Sequence, residues 1–177
     1  MTSFLLMRHG EPDYSGPNKW HAPGWGADLA PLTSAGEQQV AQQLGAILEF
    51  GPEMVIVSPT SRALHTALVL RQELPVPFKV EFDLHEWVPD RAFQWQTLAD
   101  VRKLGAEYER CSGEWPPGET RPWESVSSVR FRALAVFRRY LTYHRVLAIS
   151  HAMLIEAVAG VNSVNLAGLV PLNLDDG

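Results

Sequence analysis

The sequence predicts an α/β fold whose sheet is mainly parallel. Three short apolar runs, at residues 4–7, 54–57 and 146–149, show no alternation of polar and apolar residues, which is typical of parallel strands covered on both faces. Each run is followed by a polar cluster and then by a stretch with helical periodicity. Strands that alternate with helices in this way favour a parallel sheet joined by crossover helices.

The first predicted helix follows the first strand and begins near Ser34. The segment SAGE at residues 34–37 has the spacing of a capping box, and the apolar residues after it recur on one helical face. Gly51 and Pro52 end this helix, because glycine favours a helix C-terminus and proline cannot continue the turn. The apolar face consists of Val40, Leu44, Ile47 and Leu48.

A second helix is predicted over residues 61–74, directly after the second strand and Pro59. A weaker run follows at residues 78–82 (FKVEF). Because this run alternates polar and apolar residues, we expect it to lie nearer an edge of the sheet. The apolar stripe of the second helix consists of Ala63, Ala67, Leu70 and Leu74.

A third helix is predicted to begin at Ser125 or Ser128, and a fourth covers residues 152–158 after the last strand. The third helix has an apolar face and an opposite face that carries four arginines. We expect these arginines to be solvated, as charged helix faces usually are. They are Arg130, Arg132, Arg138 and Arg139.

Two long segments, residues 12–32 and 111–124, are dense in glycine, proline and tryptophan and are predicted to be loops. Neither is predicted to be a linker, because residues 33–110 cannot complete a sheet without the strands on both sides. We therefore expect residues 1–177 to form a single domain, a size with room for a substantial core.

The composition favours a soluble protein of a reducing compartment. The net charge is −5, so no overall positive field attracts nucleic acid or anionic lipid. The single cysteine, Cys111, excludes an intrachain disulfide. No window approaches the roughly 20 apolar residues that span a bilayer, and the run at residues 4–7 is too short for a signal peptide. We expect a cytoplasmic protein without nucleic-acid or membrane partners.

Charged and imidazole side chains follow each predicted strand. Arg8 and His9 follow the first strand, and Arg62 lies just after the second. Glu86 follows the weaker run, and His151 follows the last strand. Ligands of open α/β sheets bind beyond the carboxyl ends of the strands, so we expect these five side chains to converge there.

Such a set of side chains suits a phosphoryl group. Arginine is permanently charged, and its planar fork matches phosphate oxygens. A neutral imidazole, whose ordinary pKa is about 6.5, is a competent nucleophile near pH 7. A carboxylic acid can donate a proton to a leaving oxygen and then accept one from water. Because arginines supply the positive charge, we expect no metal and no other cofactor; the histidines also lack the helical spacing of a zinc site.

Five segments occur in order along the chain: MRHGE, PLTSAGEQQ, SPTSRALHTA, LHEW and ISHAMLIEA. Together they resemble the histidine phosphatase superfamily, the phosphoglycerate-mutase-like phosphatases, from about residue 4 to residue 160. The resemblance implies a three-layer α/β fold, with a mixed, mostly parallel sheet and helices on both faces. It also implies metal-independent hydrolysis of a small-molecule phosphate monoester through a phosphohistidine.

Carried over residue by residue, the resemblance implies catalytic roles for five side chains. His9 is expected to be the nucleophile that becomes phosphohistidine. Arg8, Arg62 and His151 are expected to hold the phosphoryl oxygens and to stabilise the charge of the transition state. Glu86 is expected to protonate the leaving group and then to act as the base for water.

Several positions depart from the pattern of the family. Ser15 stands where members often carry an asparagine, and we expect it to make that phosphate contact. The residues after Glu86 are VPDR where small residues are usual, which leaves Glu11 and Asp13 as competing carboxylates. The chain ends at VPLNLDDG, where relatives tend to continue into a last strand.

The tryptophans lie outside the predicted strands and main helices. One interpretation is that they fill small apolar clusters under the long loops. The other is that some of them line the entrance and offer flat apolar walls to an aromatic or sugar-like leaving group. We expect Trp87 to contact the substrate, because it adjoins Glu86. The six are Trp20, Trp25, Trp87, Trp95, Trp115 and Trp123.

Hydrolysis of a phosphate monoester is the predicted function. The first alternative is a mutase of the same superfamily, which returns the phosphoryl group to another hydroxyl. The short chain, without a long insertion between SPTSRALHTA and LHEW, favours hydrolysis. The second alternative is a phosphate-binding or phosphohistidine-signalling module without turnover. The remaining histidines are expected to take no part in the chemistry: His21, His65, His85 and His144.

Overall fold

The computed structural model describes residues 1–16 and 24–175, and a five-stranded sheet forms its centre. The strands are β1 (Thr2–Arg8), β2 (Met54–Val57), β3 (Phe78–Val80), β4 (Arg145–Ser150) and β5 (Leu169–Leu174). Their order across the sheet is β3-β2-β4-β1-β5. Strands β1 to β4 are parallel to one another, whereas β5 runs antiparallel to β1. The weaker run predicted near an edge is indeed the edge strand β3.

Helices connect these strands and cover the sheet. They are α1 (Ser34–Gln42), α2 (Leu44–Phe50), α3 (Ser61–Arg71), α4 (Leu98–Arg110), α5 (Val126–Arg138) and α6 (Ala152–Ala159). Two 3₁₀ helices, Gly24–Leu29 and Phe82–Leu84, lie in the loops. Within the described residues, no helix combines the length and the apolar character needed to cross a bilayer.

The sheet separates two apolar clusters. In β4, Val146 and Ala148 pack in a cluster with side chains of α5 and α6, whereas Leu147 and Ile149 pack in a cluster with side chains of α1, α2 and α3. Because successive side chains of a strand point to opposite faces, a strand covered on both sides must be apolar throughout. This arrangement confirms the predicted three-layer α/β fold with a mixed, mostly parallel sheet.

The predicted first helix is in fact two helices. The N–H of Gln43 donates to the carbonyl of Val40, three residues back, so α1 tightens and ends there, and α2 begins at the next residue. The N-cap is Thr33, whose hydroxyl accepts from the N–H of Gly36 at 2.9 Å. The capping box expected from Ser34 is therefore wrong, while the predicted end at Gly51 is confirmed by its left-handed conformation.

The sequence patterns predict neither α4 nor β5. Helix α4 begins with a capping box: the N–H of Thr97 donates to Asp100 Oδ2 at 2.9 Å, and the Thr97 hydroxyl accepts from Asp100 N–H at 3.2 Å. Strand β5 contains Pro171, which argues against a central strand but is tolerated in an edge strand such as this one. Residues of the segment VPLNLDDG thus form a strand that the sequence patterns do not predict.

Two glycines bring the loop after β1 against the start of α1. A Cβ atom on Gly10 would lie 2.5 Å from the carbonyl oxygen of Gly36, and a Cβ on Gly36 would lie 2.4 Å from the carbonyl oxygen of Glu11. Real Cβ atoms do not approach backbone so closely, so both positions require glycine. This contact fixes the backbone that carries the first residues after the strand.

We expect Gly36→Ala to lower the free energy of unfolding by about 1–3 kcal/mol, because the added methyl group has to displace backbone rather than a flexible side chain. Gly45→Ala is the matched control, since a Cβ on this helical glycine would meet no atom within 4 Å. The control is expected to be neutral or stabilising by up to about 1 kcal/mol. Urea unfolding of both variants measures the difference, and equal stability of the two would contradict the proposed contact.

Candidate active site

Five predicted site residues come from the carboxyl ends of neighbouring strands. Arg8 ends β1 and His9 follows it, and His151 directly follows β4. Arg62 lies in the first turn of α3, shortly after β2. Glu86 follows the 3₁₀ helix that continues from the edge strand. The parallel register of β1, β2 and β4 places these ends side by side, as expected for a ligand site of this fold class.

The ring of His9 is buried and its orientation is fixed by hydrogen bonds. Nδ1 lies 2.7 Å from the carbonyl oxygen of Gly10, which only accepts, so Nδ1 carries the proton and donates it. Nε2 therefore has a free lone pair, which accepts from Arg62 Nε–H at 3.3 Å. The pKa of His9 is lowered to about 3, chiefly by burial; the bond to Gly10 acts in the opposite direction, and the charges of Arg62 and Arg8 lower the pKa further. His9 is thus neutral at neutral pH.

His151 is completely buried, and its ring lies 5.1 Å from the ring of His9 between centroids. Nε2 is 2.8 Å from Ser58 Oγ and 3.3 Å from Thr60 Oγ1. Because Ser58 Oγ already accepts from the N–H of Thr60, its own proton is available for Nε2. When Ser58 donates to Nε2, the ring proton of His151 is on Nδ1, which meets no hydrogen-bond partner among the described residues. Burial first, and the charge of Arg62 second, keep the pKa of His151 well below 6.5.

The guanidinium of Arg62 is buried and held from its far side. Nη1 donates to Asp28 Oδ1 at 2.9 Å, and Asp28 lies in the 3₁₀ helix of residues 24–29. The charge of Arg62 is also felt by Glu86 and His151, which places it centrally among the site residues. Asp28 is a site neighbour that the sequence patterns miss, because nothing in a loop sequence marks which carboxylate reaches a distant arginine.

Arg8 is half-buried at the end of β1. Nη1 donates to the carbonyl oxygen of Val164 at 2.6 Å, which anchors one side of the guanidinium. Nε is buried, and within the described part of the chain it has no acceptor. Buried N–H donors are nearly always paired in folded proteins. Arg8 Nε and His151 Nδ1 are therefore donors suited to an anionic oxygen.

The carboxyl group of Glu86 meets the first turn of α6. Oε1 accepts from the N–H of Trp87 at 2.9 Å, and the carboxyl also accepts from the N–H of Met153. Burial nevertheless raises the pKa of Glu86, and this effect exceeds the lowering by those bonds and by the charges of Arg62 and Arg132. A raised pKa is what a carboxyl group needs to hold a proton closer to neutral pH.

Ser15 and the competing carboxylates have other hydrogen-bond partners within the described residues. Ser15 is exposed, and its N–H donates to Asp13 Oδ1 at 2.8 Å within the same loop. Glu11 Oε1 accepts from the hydroxyl of Thr33 at 2.9 Å, so this carboxylate supports the cap of α1. Glu86 is therefore the carboxyl group whose surroundings fit an acid at the site.

The position of Trp87 does not fit the entrance wall predicted for it. Its ring is buried in the main core, where it packs on Tyr108 at 5.1 Å and donates from Nε1 to the carbonyl oxygen of Glu124 at 2.7 Å. Trp123 is completely buried in the same cluster. Both support the interpretation that tryptophans fill clusters under loops. Trp20, His21 and the side chain of Trp25 lie outside the described residues.

Two further expectations are decided by side-chain contacts. His65 has a structural position: its Nδ1 accepts from Leu32 N–H at 3.1 Å, and its Nε2 lies 3.0 Å from Glu37 Oε1. The prediction of a solvated arginine face is wrong for Arg132, whose side chain is only 12% exposed and is paired with Glu124 at 2.8 Å. A helix face that is charged in sequence thus contains one inward-facing arginine.

The family model described as "Histidine phosphatase superfamily (branch 1)" matches residues 4–168. The chain belongs to this superfamily. A curated relative, "Uncharacterized phosphatase PhoE" of Bacillus subtilis (strain 168), is 32% identical over 83 residues, which cover 47% of this chain and 40% of that protein. The sequence match to this relative therefore spans less than half of either protein.

Two solved structures share this fold over nearly all of both chains. Mycobacterial glucosyl-3-phosphoglycerate phosphatase in complex with VO3 superposes with a TM-score of 0.74 at 19% identity, over 98% of this chain and 91% of that chain. YhfR of Bacillus stearothermophilus superposes with a TM-score of 0.73 at 21% identity, over 100% and 93% of the two chains. At such identities the likeness establishes the common fold.

The buried histidines make stability depend on pH. The pKa values of His9, His85 and His151 are lowered in the folded protein, so below about pH 6.5 the unfolded chain binds protons that the folded chain does not. We expect stability to be fully present above pH 6.5 and to fall on acidification, by up to about 1.4 kcal/mol per pH unit for His9 and for His151, with His85 acting in the same direction. Glu86 acts in the opposite direction, because its raised pKa favours the folded protein as the pH falls toward 4.5.

Urea unfolding at several values between pH 7.5 and 5 measures this slope. We expect His151→Gln to reduce it, because glutamine does not titrate. His144→Gln serves as the control, since His144 is exposed. A slope that His151→Gln leaves unchanged would show that the ring is protonated in the folded protein.

We expect Asp28→Asn to tighten the binding of inorganic phosphate or vanadate about tenfold, or roughly 1.4 kcal/mol. The reason is that the Asp28 carboxylate pairs with Arg62 Nη1 and repels an anion at the same guanidinium. Asp175→Asn removes an equal charge near the opposite end of the sheet and is expected to have no effect. Calorimetric titration compares the three proteins; weaker binding by Asp28→Asn would mean that this carboxylate mainly orients Arg62.

Proposed function

We propose that this chain is a phosphatase that hydrolyses small phosphate monoesters through a phosphohistidine on His9. The observation that carries the proposal is the surrounding of His9 Nε2: a neutral nucleophilic nitrogen, 3.3 Å from Arg62 Nε, within a buried group of N–H donors. Two of those donors, Arg8 Nε and His151 Nδ1, have no protein acceptor in the described residues. A PO₃ unit carries the oxygens that such donors require.

In the first step, His9 Nε2 attacks phosphorus while the bond from phosphorus to the leaving oxygen breaks. The N–P bond forms as the alcohol departs, and the Glu86 carboxyl group supplies the proton that the leaving oxygen needs. Arg8, Arg62 and His151 hold the three equatorial oxygens, where negative charge is spread in the transition state. The hydrogen bond from His9 Nδ1 to Gly10 stabilises the positive charge that develops on the ring.

In the second step, water attacks the phosphohistidine and the N–P bond breaks. Glu86, now a carboxylate, accepts a proton from this water, and inorganic phosphate leaves with the original His9 restored. The same side chain thus gives one proton and takes one back in each turnover. The raised pKa of Glu86 supports this dual role, because the group has to be protonated at the start of the cycle.

The proposal also includes the expectations about metals, compartment, domain organisation and substrate class. We propose that the reaction requires no metal, since arginines supply the positive charge, and that the enzyme works in the cytoplasm, given its single cysteine. Residues 1–177 act as a single domain. The relative with a solved structure is a phosphatase of glucosyl-3-phosphoglycerate by its name; for this chain we propose the wider class of small phosphate monoesters.

We expect the purified chain to release inorganic phosphate from p-nitrophenyl phosphate in excess chelator, and His9→Gln to abolish the release. Rapid acid-free quenching and mass spectrometry are expected to find an acid-labile phosphate on His9. Arg62→Ala is expected to lower kcat by about 10²-fold or more, the cost of removing one preorganised donor. His144→Gln, an exposed histidine away from the group, is the matched control.

The same assay separates the alternatives. Phosphoryl transfer to an added alcohol without release of phosphate would indicate a mutase. Vanadate binding without either reaction would indicate a module that has lost turnover. Full activity of His9→Gln would exclude the phosphohistidine mechanism.

A further inference from the structure

Arg132 of α5 is bonded along its whole guanidinium to the segment that carries Glu86. Nη1 donates to the carbonyl oxygens of Asp83 at 2.6 Å and of His85 at 2.8 Å. Nη2 donates to the carbonyl oxygen of Glu86 itself at 3.2 Å. These bonds hold the backbone before and at the proposed acid, from a helix that is about 50 residues away in sequence.

Glu124 binds both Arg132 and the residues that follow Glu86. Its carboxylate binds Arg132 at both oxygens, with Nε to Oε1 at 2.8 Å and Nη2 to Oε2 at 3.0 Å. Its backbone N–H donates to the carbonyl oxygen of Val88 at 3.0 Å, and its carbonyl oxygen accepts from Trp87 Nε1 at 2.7 Å. The pair Arg132–Glu124 therefore contacts the chain from residue 83 to residue 88.

We propose that Arg132 and Glu124 are positioning residues that hold the Glu86 carboxyl group in place for proton transfer. This inference rests on the proposed function, in which Glu86 protonates the leaving oxygen. Residues 83–88 form no strand or α-helix of their own, so tertiary hydrogen bonds determine where the carboxyl lies. Proton transfer requires heavy atoms within about 3 Å, and a misplacement of about 1 Å can cost 10²-fold in rate.

The chemistry of the contact requires arginine. Lysine presents a point charge on a flexible stem and cannot form the bidentate bond to Glu124 and also reach three carbonyl oxygens. Breaking a buried pair also leaves a charge without compensation. Arg139, the residue directly after the same helix, offers a matched comparison, because it pairs with Glu81 at 2.7 Å and is half-exposed.

The test compares two substrates that differ in their need for an acid. p-Nitrophenolate leaves without a proton. The alkoxide that leaves from glycerol phosphate has to be protonated as it departs. We expect Arg132→Lys to lower kcat/KM for glycerol phosphate by about 10- to 100-fold and for p-nitrophenyl phosphate by less than about threefold. Glu124→Gln is expected to show the same selectivity with a smaller loss, and it keeps the test valid if the lysine variant does not fold.

Glu86→Gln sets the reference. Glu86→Gln is expected to lose kcat/KM on glycerol phosphate but not on p-nitrophenyl phosphate, with the largest difference between the two substrates. The double variant Arg132→Lys/Glu86→Gln is expected to be no slower on glycerol phosphate than Glu86→Gln alone. Arg139→Lys is expected to change both substrates by less than about twofold. Equal losses on both substrates in Arg132→Lys and Glu124→Gln would overturn the positioning role while Glu86→Gln still supports the proposed function. Absence of selectivity in Glu86→Gln itself would overturn both.

Discussion

Within the site, the Nε–H of Arg62 meets the lone pair of His9 Nε2 at 3.3 Å, and the rest of the arrangement depends on that contact. It requires a histidine that stays neutral beside a permanent cation, which burial ensures by holding the pKa at about 3. It also requires the ring proton on the opposite nitrogen, which the carbonyl of Gly10 secures. The glycine contact between the loop after β1 and the start of α1 keeps that carbonyl in place.

A second constraint is the placement of positive charge in a protein with a net charge of −5. Each arginine of the site region is held by a different neighbour: Arg8 by the carbonyl of Val164, Arg62 by Asp28, and Arg132 by Glu124. Such anchoring fixes the direction of each guanidinium before an anion arrives. The positive field is therefore local and pre-arranged, and the surface as a whole remains acidic.

Much of the fold could be predicted because buried parallel strands have a clear hydrophobic pattern in sequence. The runs that became β1, β2 and β4 are apolar at every position, since each strand is covered by both apolar clusters. The sequence patterns of helix α4 and strand β5 are weaker. One begins in a loop-rich stretch, and the other contains Pro171, which only an edge position beside β1 makes acceptable.

The sequence alone determined which residues stand at the ends of the buried strands. A charged or imidazole side chain at the end of such a strand or directly after it has to lie at the rim of the sheet, and Arg8, His9 and His151 follow from that rule. Tertiary structure decided what holds them. Asp28 lies 34 residues from Arg62, and Arg132 lies 49 residues from Asp83. The sequence does not show whether a charged residue on a loop or a helix is neutralised by water or by a buried partner. Only the packing of distant segments could therefore reveal these contacts.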